Sequence, residues 1–316
     1  MISSSNSQKN IALVTCERFP LLSDDDQPLI ASLRGLGLNP TPVIWDDPTV
    51  DWHKFGLILL RSTWDYYLKV PKFLAWLKTI ENASELNGTE ILNRPSVVRW
   101  NLDKTYLKTL MELGIPVIPT VWLKSTETAS LSHLIKPLGW KQMVLKPTIS
   151  ADAFQTIRLN QDDTELFETE LHKLQRRDLK VGLNDHYVAM LQPFLPEIIA
   201  EGEWSFLFFD GKYSHAVLKK PSTGDFRVQT SHGGKATPME APAALLAQAE
   251  HAFRVAKDCV GVNLLYARVD MIRRDKQLLL VELELIEPTL YLQSDASRID
   301  RFTASIEKFL FEKNEP

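Results

Sequence analysis

Three carboxylates in the last third of the chain are spaced for chemistry. The stretch LLLVELELIEPTL has the apolar content of a strand, and it carries Glu282 and Glu284 two residues apart. Successive side chains of a strand point to opposite faces, so these two acids share a face about 6.5 Å apart and repel. Upstream, LLYARVDMI is a second apolar run, and the polar RRDKQ between them reads as the turn of a β-hairpin. Folding it near Lys276 sets Asp270 opposite Glu282, with Arg268 close by. Hard oxygen ligands gathered on one sheet face suit Mg²⁺, which binds one or two protein carboxylates and leaves its other positions to water and phosphate. The expectation is a magnesium–nucleotide site.

Two lysines stand where phosphates would need them. Lys146 ends the apolar strand MVLKP, and Lys104 lies in NLDKTYL, read as helix. Each alone is an ordinary surface lysine; beside the acidic hairpin they become candidate phosphate ligands. The chain has neither G-x-x-x-x-G-K-[ST] nor G-x-G-x-x-G, which argues against a P-loop and a dinucleotide site.

The elements that must position these groups follow an order. NIALVTC, PLIASLRGLGL, PTPVIW, FGLILLRSTWDY and VPKFLAWLKTIE alternate strand and helix, the pattern of βαβ units with a parallel sheet whose strand ends bind ligands. RSTWDYY is such a loop. There Arg61 can pair a carboxylate, Asp65 can hold an amine, and Trp64 can wall a pocket or pack an interface, with Ser62 and Thr63 beside them. A short strand EILN precedes one helix over VVRWNLDKTYLKTLMELG. From Val117 the pattern becomes strand-rich (PVIPTVWL, MVLKPT, QTIRLN, YVAMLQPFL), with helices near SLSHLIKPLG and ELFETELHKLQRR: a small α+β lid. A strand-rich module beginning EWSFLFFDGKYSHAVLKK closes the chain.

Composition permits an enzyme. The 316 residues are 44% hydrophobic and 24% charged, with formal net charge -4, which gives no reason to expect nucleic acid or an anionic membrane as partner. The polar MISSSNSQKN start lacks the apolar core of a signal peptide, and no apolar run reaches membrane-spanning length, so a cytoplasmic protein is expected. Cys16 and Cys259 lack metal-ligand spacing and read as small buried residues. A homodimer is compatible with this composition.

The order NRPSVVRWNLDKTYL, VLKP, MLQPFLPEIIAEGEWSFLFFDG, DFRVQTSHGGK, VD and ELELIEP resembles the ATP-grasp superfamily, its glutathione-synthetase-like members and the cycloserine-forming ligases in particular. The resemblance implies an ATP-grasp fold of mixed α/β and α+β class. Residues 1–95 would form an N-terminal parallel-sheet domain that binds substrate, and 96–316 the ATP-grasp region, with a lid over about 121–191 and an antiparallel-sheet catalytic domain over about 192–316. It implies ATP and Mg²⁺ as cofactors. Lys104 and Lys146 would hold the phosphates, Gln192, Pro193, Phe194 and Leu195 would form the adenine hinge, and Glu203 would take the ribose hydroxyls. Arg227 would steady an acyl phosphate, Gly233 and Gly234 would let backbone approach the substrate, and Asp270, Glu282 and Glu284 would hold metal. The implied activity is an ATP-dependent ligase that activates a small amino-acid or peptide-like carboxylate and joins it to an amine, within one molecule or between two.

Two departures stand out. The third metal position is Glu284 where many relatives have Asn, and the lid loop TISADAFQT has no glycine where relatives are Gly-rich. The second motivates an alternative: a sensor or scaffold that binds ATP without turning it over.

Overall fold

The computed structural model describes residues 9–180 and 187–312. The polar N-terminal segment is therefore largely outside the described residues, as is 181–186 within the expected lid.

The first sheet is parallel, as the alternation requires. It comprises β1 (Asn10–Thr15), β2 (Asn39–Ile44), β3 (Leu57–Ser62) and β4 (Glu90–Leu92) in the order β2-β1-β3-β4. Helices α1 (Pro28–Gly35) and α2 (Val70–Asn87) connect the strands. β3 is buried along its whole length, so its continuous apolar run reads LILL rather than alternating.

The single helix expected over residues 97–114 is two: α3 (Pro95–Leu102) and α4 (Tyr106–Glu112), broken at Asp103–Thr105. The Asp103 carboxylate accepts from the Thr105 N–H at 2.8 Å, and the Lys104 N–H donates to the Thr148 carbonyl at 3.0 Å instead of continuing a helix. The break turns Lys104 toward the lid.

The lid sheet is antiparallel, β5 (Val121–Lys124), β6 (Gln142–Pro147), β7 (Ile157–Asn160) and β8 (Tyr187–Pro193) in the order β5-β8-β6-β7. With α5 (Leu131–Ile135) and α6 (Thr164–Lys180) it encloses a core of its own, including Leu123, Met143, Leu145, Phe167 and Leu191.

After α7 (Glu197–Ala200) comes a five-stranded antiparallel sheet of β9 (Glu203–Phe209), β10 (Lys212–Lys220), β11 (Lys235–Met239), β12 (Tyr266–Arg274) and β13 (Gln277–Glu284), ordered β11-β10-β9-β12-β13. Asp210 and Gly211 both have positive φ, 47° and 76°, and make the tight β9–β10 turn. α8 (Ala243–Val260) packs this sheet, and α9 (Ala296–Glu312) packs against α1. Leu13 and Leu59 of the first sheet share one buried cluster with Leu207, Tyr266 and Phe302, so the parallel and antiparallel sheets are joined by continuous core.

The strand β13 lies at the sheet edge, where unpaired backbone invites slippage. Side chains from α3 and α4 satisfy it. Asn101 donates to the Leu283 carbonyl at 2.7 Å and accepts from the Leu285 N–H at 2.8 Å. The Tyr106 hydroxyl accepts from the Leu283 N–H at 2.8 Å and donates to the Leu283 carbonyl at 2.9 Å. This clamp fixes the flanking Glu282 and Glu284.

Candidate functional site

Asp270 pairs with Glu282 and Arg268 with Glu284 across the β12–β13 hairpin, the register read from sequence, with a bulge after Asp270. The floor of a cleft of about 600 Å³ between the lid sheet and the antiparallel sheet is built from this face.

One half of the cleft is basic. Lys104 Nζ lies 3.1 Å from Glu282 and donates to the Ser150 carbonyl of the lid loop at 2.6 Å. Lys146 lines the cleft from the end of β6; burial pushes its ammonium pKa down, against the pull of Glu282. Lys219, which sequence reasoning missed, sits 2.5 Å from Glu203 and 3.0 Å from Asp270. Burial lowers its pKa, but Asp270 and Glu203 more than reverse this and keep it charged. The signal was present: in the hairpin closed by Asp210-Gly211, Glu203 pairs with Lys219. Arg268 donates to Asp270 at 2.9 Å and contacts Glu284.

Asp270 departs from the expectation of three carboxylates converging on an ion. Its oxygens are taken by Arg268, Lys219 and Ser205, and among the described residues no three His, Cys, Asp or Glu groups form a ready metal cluster. Burial pushes its carboxyl pKa up, and the two cations hold it below the usual range. Glu284 behaves differently: burial, opposed by Arg268 and reinforced by Glu282 and Asp270, raises it to about 7. Glu282 and Glu284 both line the cleft, and this pair of hard oxygen donors fits a magnesium ion.

An apolar slot adjoins the basic half. Leu195, Ile198, Val228 and Ile272 form a small cluster with Phe194 and Phe226 packed on it, and Val144 and Val281 also line the cleft. Of the hinge residues, Gln192 spends its side-chain amide on Thr120 at 2.9 Å, and the Phe194 N–H donates to Gln142 at 2.8 Å. Pro193 and Leu195 face the cleft. The guanidinium of Arg158 lies 3.7 Å over the Phe194 ring. Glu203 lines the cleft, with one oxygen engaged by Lys219.

The lid loop closes the cleft without glycine. Asp152, Ala153 and Gln155 take left-handed φ of 54°, 53° and 51°, the conformation a glycine would have supplied. Contacts from other elements hold it there. Ser231 donates to the Asp152 carboxylate at 2.5 Å, His232 lies 3.2 Å from the Asp152 carbonyl, and Arg177 donates to the Ile149 carbonyl at 2.9 Å. The Phe154 ring packs 5.0 Å from Tyr67. Arg227 lines the cleft beside Ser231 and is held by Asp225 at 2.7 Å.

Several residues expected to touch substrate are buried or already paired within the protein. Arg61 is fully buried: it pairs with Asp26 at 2.9 Å, donates to the Pro288 carbonyl at 2.9 Å and lies over the Tyr266 ring. Ser62 donates to Asp26 at 2.9 Å, and Thr63 is likewise buried. Asp65 accepts from Trp45 Nε1 at 2.7 Å and Lys69 at 2.8 Å, so it is already neutralised. Gly233 and Gly234 serve their own loop, because a Cβ on Gly234 would come 2.1 Å from the Val228 carbonyl oxygen. Trp64 does reach the cleft; its Nε1 donates to the Glu287 carbonyl at 2.9 Å and its ring meets Phe19 edge-on at 5.1 Å. His215 is a satisfied core residue, between Ser214 and the Leu290 carbonyl.

A family model described as the N-terminal domain of D-cycloserine synthetase DcsG matches residues 11–93. The chain is 29% identical over 304 residues to the cycloserine biosynthesis protein DcsG of Streptomyces lavendulae, covering 94% of this chain and 97% of that protein. The crystal structure of D-cycloserine synthetase DcsG aligns with a TM-score of 0.82 at 26% identity, over 95% of this chain and 99% of that one. D-alanine–D-alanine ligase from Bacillus anthracis shares the fold more distantly, with a TM-score of 0.64 and 16% identity over 96% and 99% of the two chains. Six motifs in order, three sheets and a basic cleft between two of them accompany this whole-length similarity to the cycloserine-forming enzymes, and together they support an ADP-forming carboxylate–amine ligase with the ATP-grasp fold.

Proposed function

We propose that the protein activates the carboxylate of a small amino-acid-like substrate with ATP and closes it onto an amine nitrogen of the same molecule. The whole-length similarity to a D-cycloserine synthetase carries this reading.

In this reading adenine enters the slot beside Phe194 and Leu195, and Lys104, Lys146, Lys219 and Arg268 face the phosphates. The substrate carboxylate oxygen attacks the γ-phosphorus, the bond to the β-phosphate oxygen breaks, and ADP leaves. The nitrogen then attacks the acyl carbon, phosphate departs, and the nitrogen loses a proton. Mg²⁺ held by Glu282 and Glu284, with Asp270 behind them, would neutralise charge on the phosphates. Arg227 supplies a fixed cation where the tetrahedral intermediate gains charge. Ser150 to Ala153 exclude water, which would otherwise hydrolyse the acyl phosphate. The left-handed lid loop supports a catalytic rather than a merely ATP-sensing protein, since the cradle forms without glycine.

The test is Mg-ATP-dependent ADP release with O-substituted D-serines as sole substrate, followed by product mass. Cyclised product without any added amine is expected. ADP release only on adding a second amine would make the protein a two-substrate ligase, and none with any amino acid would leave the sensor reading.

A further inference from the structure

The buried acids of the cleft have partners, with one exception. Glu203 faces Lys219, Asp270 faces Lys219 and Arg268, Glu282 faces Lys104 and Glu284 faces Arg268. Asp25 accepts from the N–H groups of Leu290 and Gln293 at 3.1 and 3.3 Å. Glu287 lines the same cleft and is 6% exposed, yet among the described residues its carboxylate has no hydrogen bond and no cation within ion-pair distance.

Its position separates it from the metal face. It lies beyond the end of β13, in a turn tied to the first sheet: the Glu287 carbonyl accepts from Trp64 and the next carbonyl, of Pro288, accepts from Arg61. The aromatic side chains of Trp64, Tyr66 and Tyr67 line the same cleft as Glu287. An uncompensated buried carboxylate costs stability unless a ligand completes it.

We propose that Glu287 is the seat of a substrate ammonium group, so that the carboxylate activated in this cleft belongs to a molecule carrying a protonated primary amine. A compact cation seated there gains a charge-assisted hydrogen bond and the faces of the neighbouring rings. Carboxylates lacking the amine leave Glu287 buried and unpaired and are rejected. Arg61, buried, and Asp65, paired with Trp45 and Lys69, thereby hand substrate recognition to the turn that Arg61 supports. Burial, then repulsion from Glu284 and Glu282, pushes the Glu287 carboxyl pKa up to about 8, in keeping with an acid that lacks its cation until ligand arrives. The proposal rests on the reading of the cleft as a ligase site for a small carboxylate.

Paired probes differing only in the amine test it: D-cycloserine against isoxazolidin-3-one, D-serine against 3-hydroxypropanoate, and D-alanine against propanoate. Calorimetry with Mg-ADP present measures each on wild type, Glu287→Gln and, as a second variant, Glu287→Ala. Wild type should prefer an amine-bearing probe by about tenfold to a hundredfold, the range of one charged hydrogen bond. The variants should bring the ratio near one while Mg-ADP binds as before. A ratio unchanged in the variants, or no preference in wild type for any pair, overturns the proposal. Weakened Mg-ADP with an unchanged ratio does so too, and assigns Glu287 to the metal. If the serine or alanine pair shows the ratio and the cycloserine pair does not bind, the cycloserine-type reading fails while the role of Glu287 stands.

Discussion

Glu282 pairs with Lys104 and lines the cleft, so its substitution separates chemistry from folding. Glu282→Gln should keep the fold and lower turnover at saturating magnesium by about two orders of magnitude or more; circular dichroism and ADP release measure the two. Lys146→Ala should weaken ATP by about 1.5 to 3 kcal/mol, and an unaltered affinity would move Lys146 out of the phosphate site. His215 gives a pH prediction away from the cleft. Burial, then Arg298, depresses its pKa to about 3, so below the ordinary value of 6.5 the unfolded chain binds a proton that the folded one refuses. Its stabilising contribution is complete above that value and is lost as pH falls, at up to about 1.4 kcal/mol per pH unit. Asp25, raised to about 6 by burial and Asp26, works in the opposite sense, but it is common to wild type and His215→Gln and cancels in their difference. Urea unfolding from pH 7 to 5 should give a shallower acid slope for the variant. At this scale the sequence revealed the residues whose partners lie in the same hairpin. Asp270 and Glu282 could be paired by counting from one turn, whereas Arg61 meets Asp26 from a different loop, and nothing local says that its charge is already satisfied.

Among the elements, the strands were legible because β6 keeps a two-residue burial period and β8 and β12 are apolar-rich runs buried nearly throughout. The break between α3 and α4 was not. Asp103, Lys104 and Thr105 carry neither Gly nor Pro, and the interruption is imposed by a hydrogen bond to Thr148, just past the end of β6. The clamp on β13 follows the same logic, since Asn101 and Tyr106 act across more than 170 residues. Tyr106→Phe should cost about 1 to 3 kcal/mol by leaving the Leu283 N–H without its partner, while Asn101 still serves the carbonyl, and should raise the magnesium concentration needed for turnover because Glu282 and Glu284 flank that residue. Unfolding and magnesium titration check the two halves separately. In the lid loop, Ala153→Gly should be neutral or stabilising by up to about 1 kcal/mol, because the left-handed backbone that strains Ala costs Gly nothing. A loss of about 1 kcal/mol, as for glycine placed in an ordinary helix, would contradict the assigned conformation.

At the scale of the molecule, a parallel sheet carries the aromatic wall, an antiparallel sheet carries the acids, and a lid with its own core stands over both. No helix among the described residues is long and apolar enough to cross a membrane. The order of these parts was readable from strand and helix alternation; their common core, which joins Leu13 to Phe302, was not, because a hydrophobic pattern shows that a face is buried and not what buries it. The separate lid core supports motion of residues 121–191 as a unit, with loop contacts from Ser231, His232 and Arg177 as the latch. Amide exchange over Thr148 to Thr156 should slow on adding Mg-ATP while Leu57 to Leu60 stay unchanged. The central claim, that the cleft transfers phosphate from ATP onto a substrate carboxylate, is tested most directly by oxygen tracing. A substrate labelled with ¹⁸O in its carboxylate, turned over with unlabelled Mg-ATP, should yield inorganic phosphate containing one ¹⁸O, because the acyl phosphate's bridging oxygen leaves with phosphorus. ADP and product formed with unlabelled phosphate would contradict it.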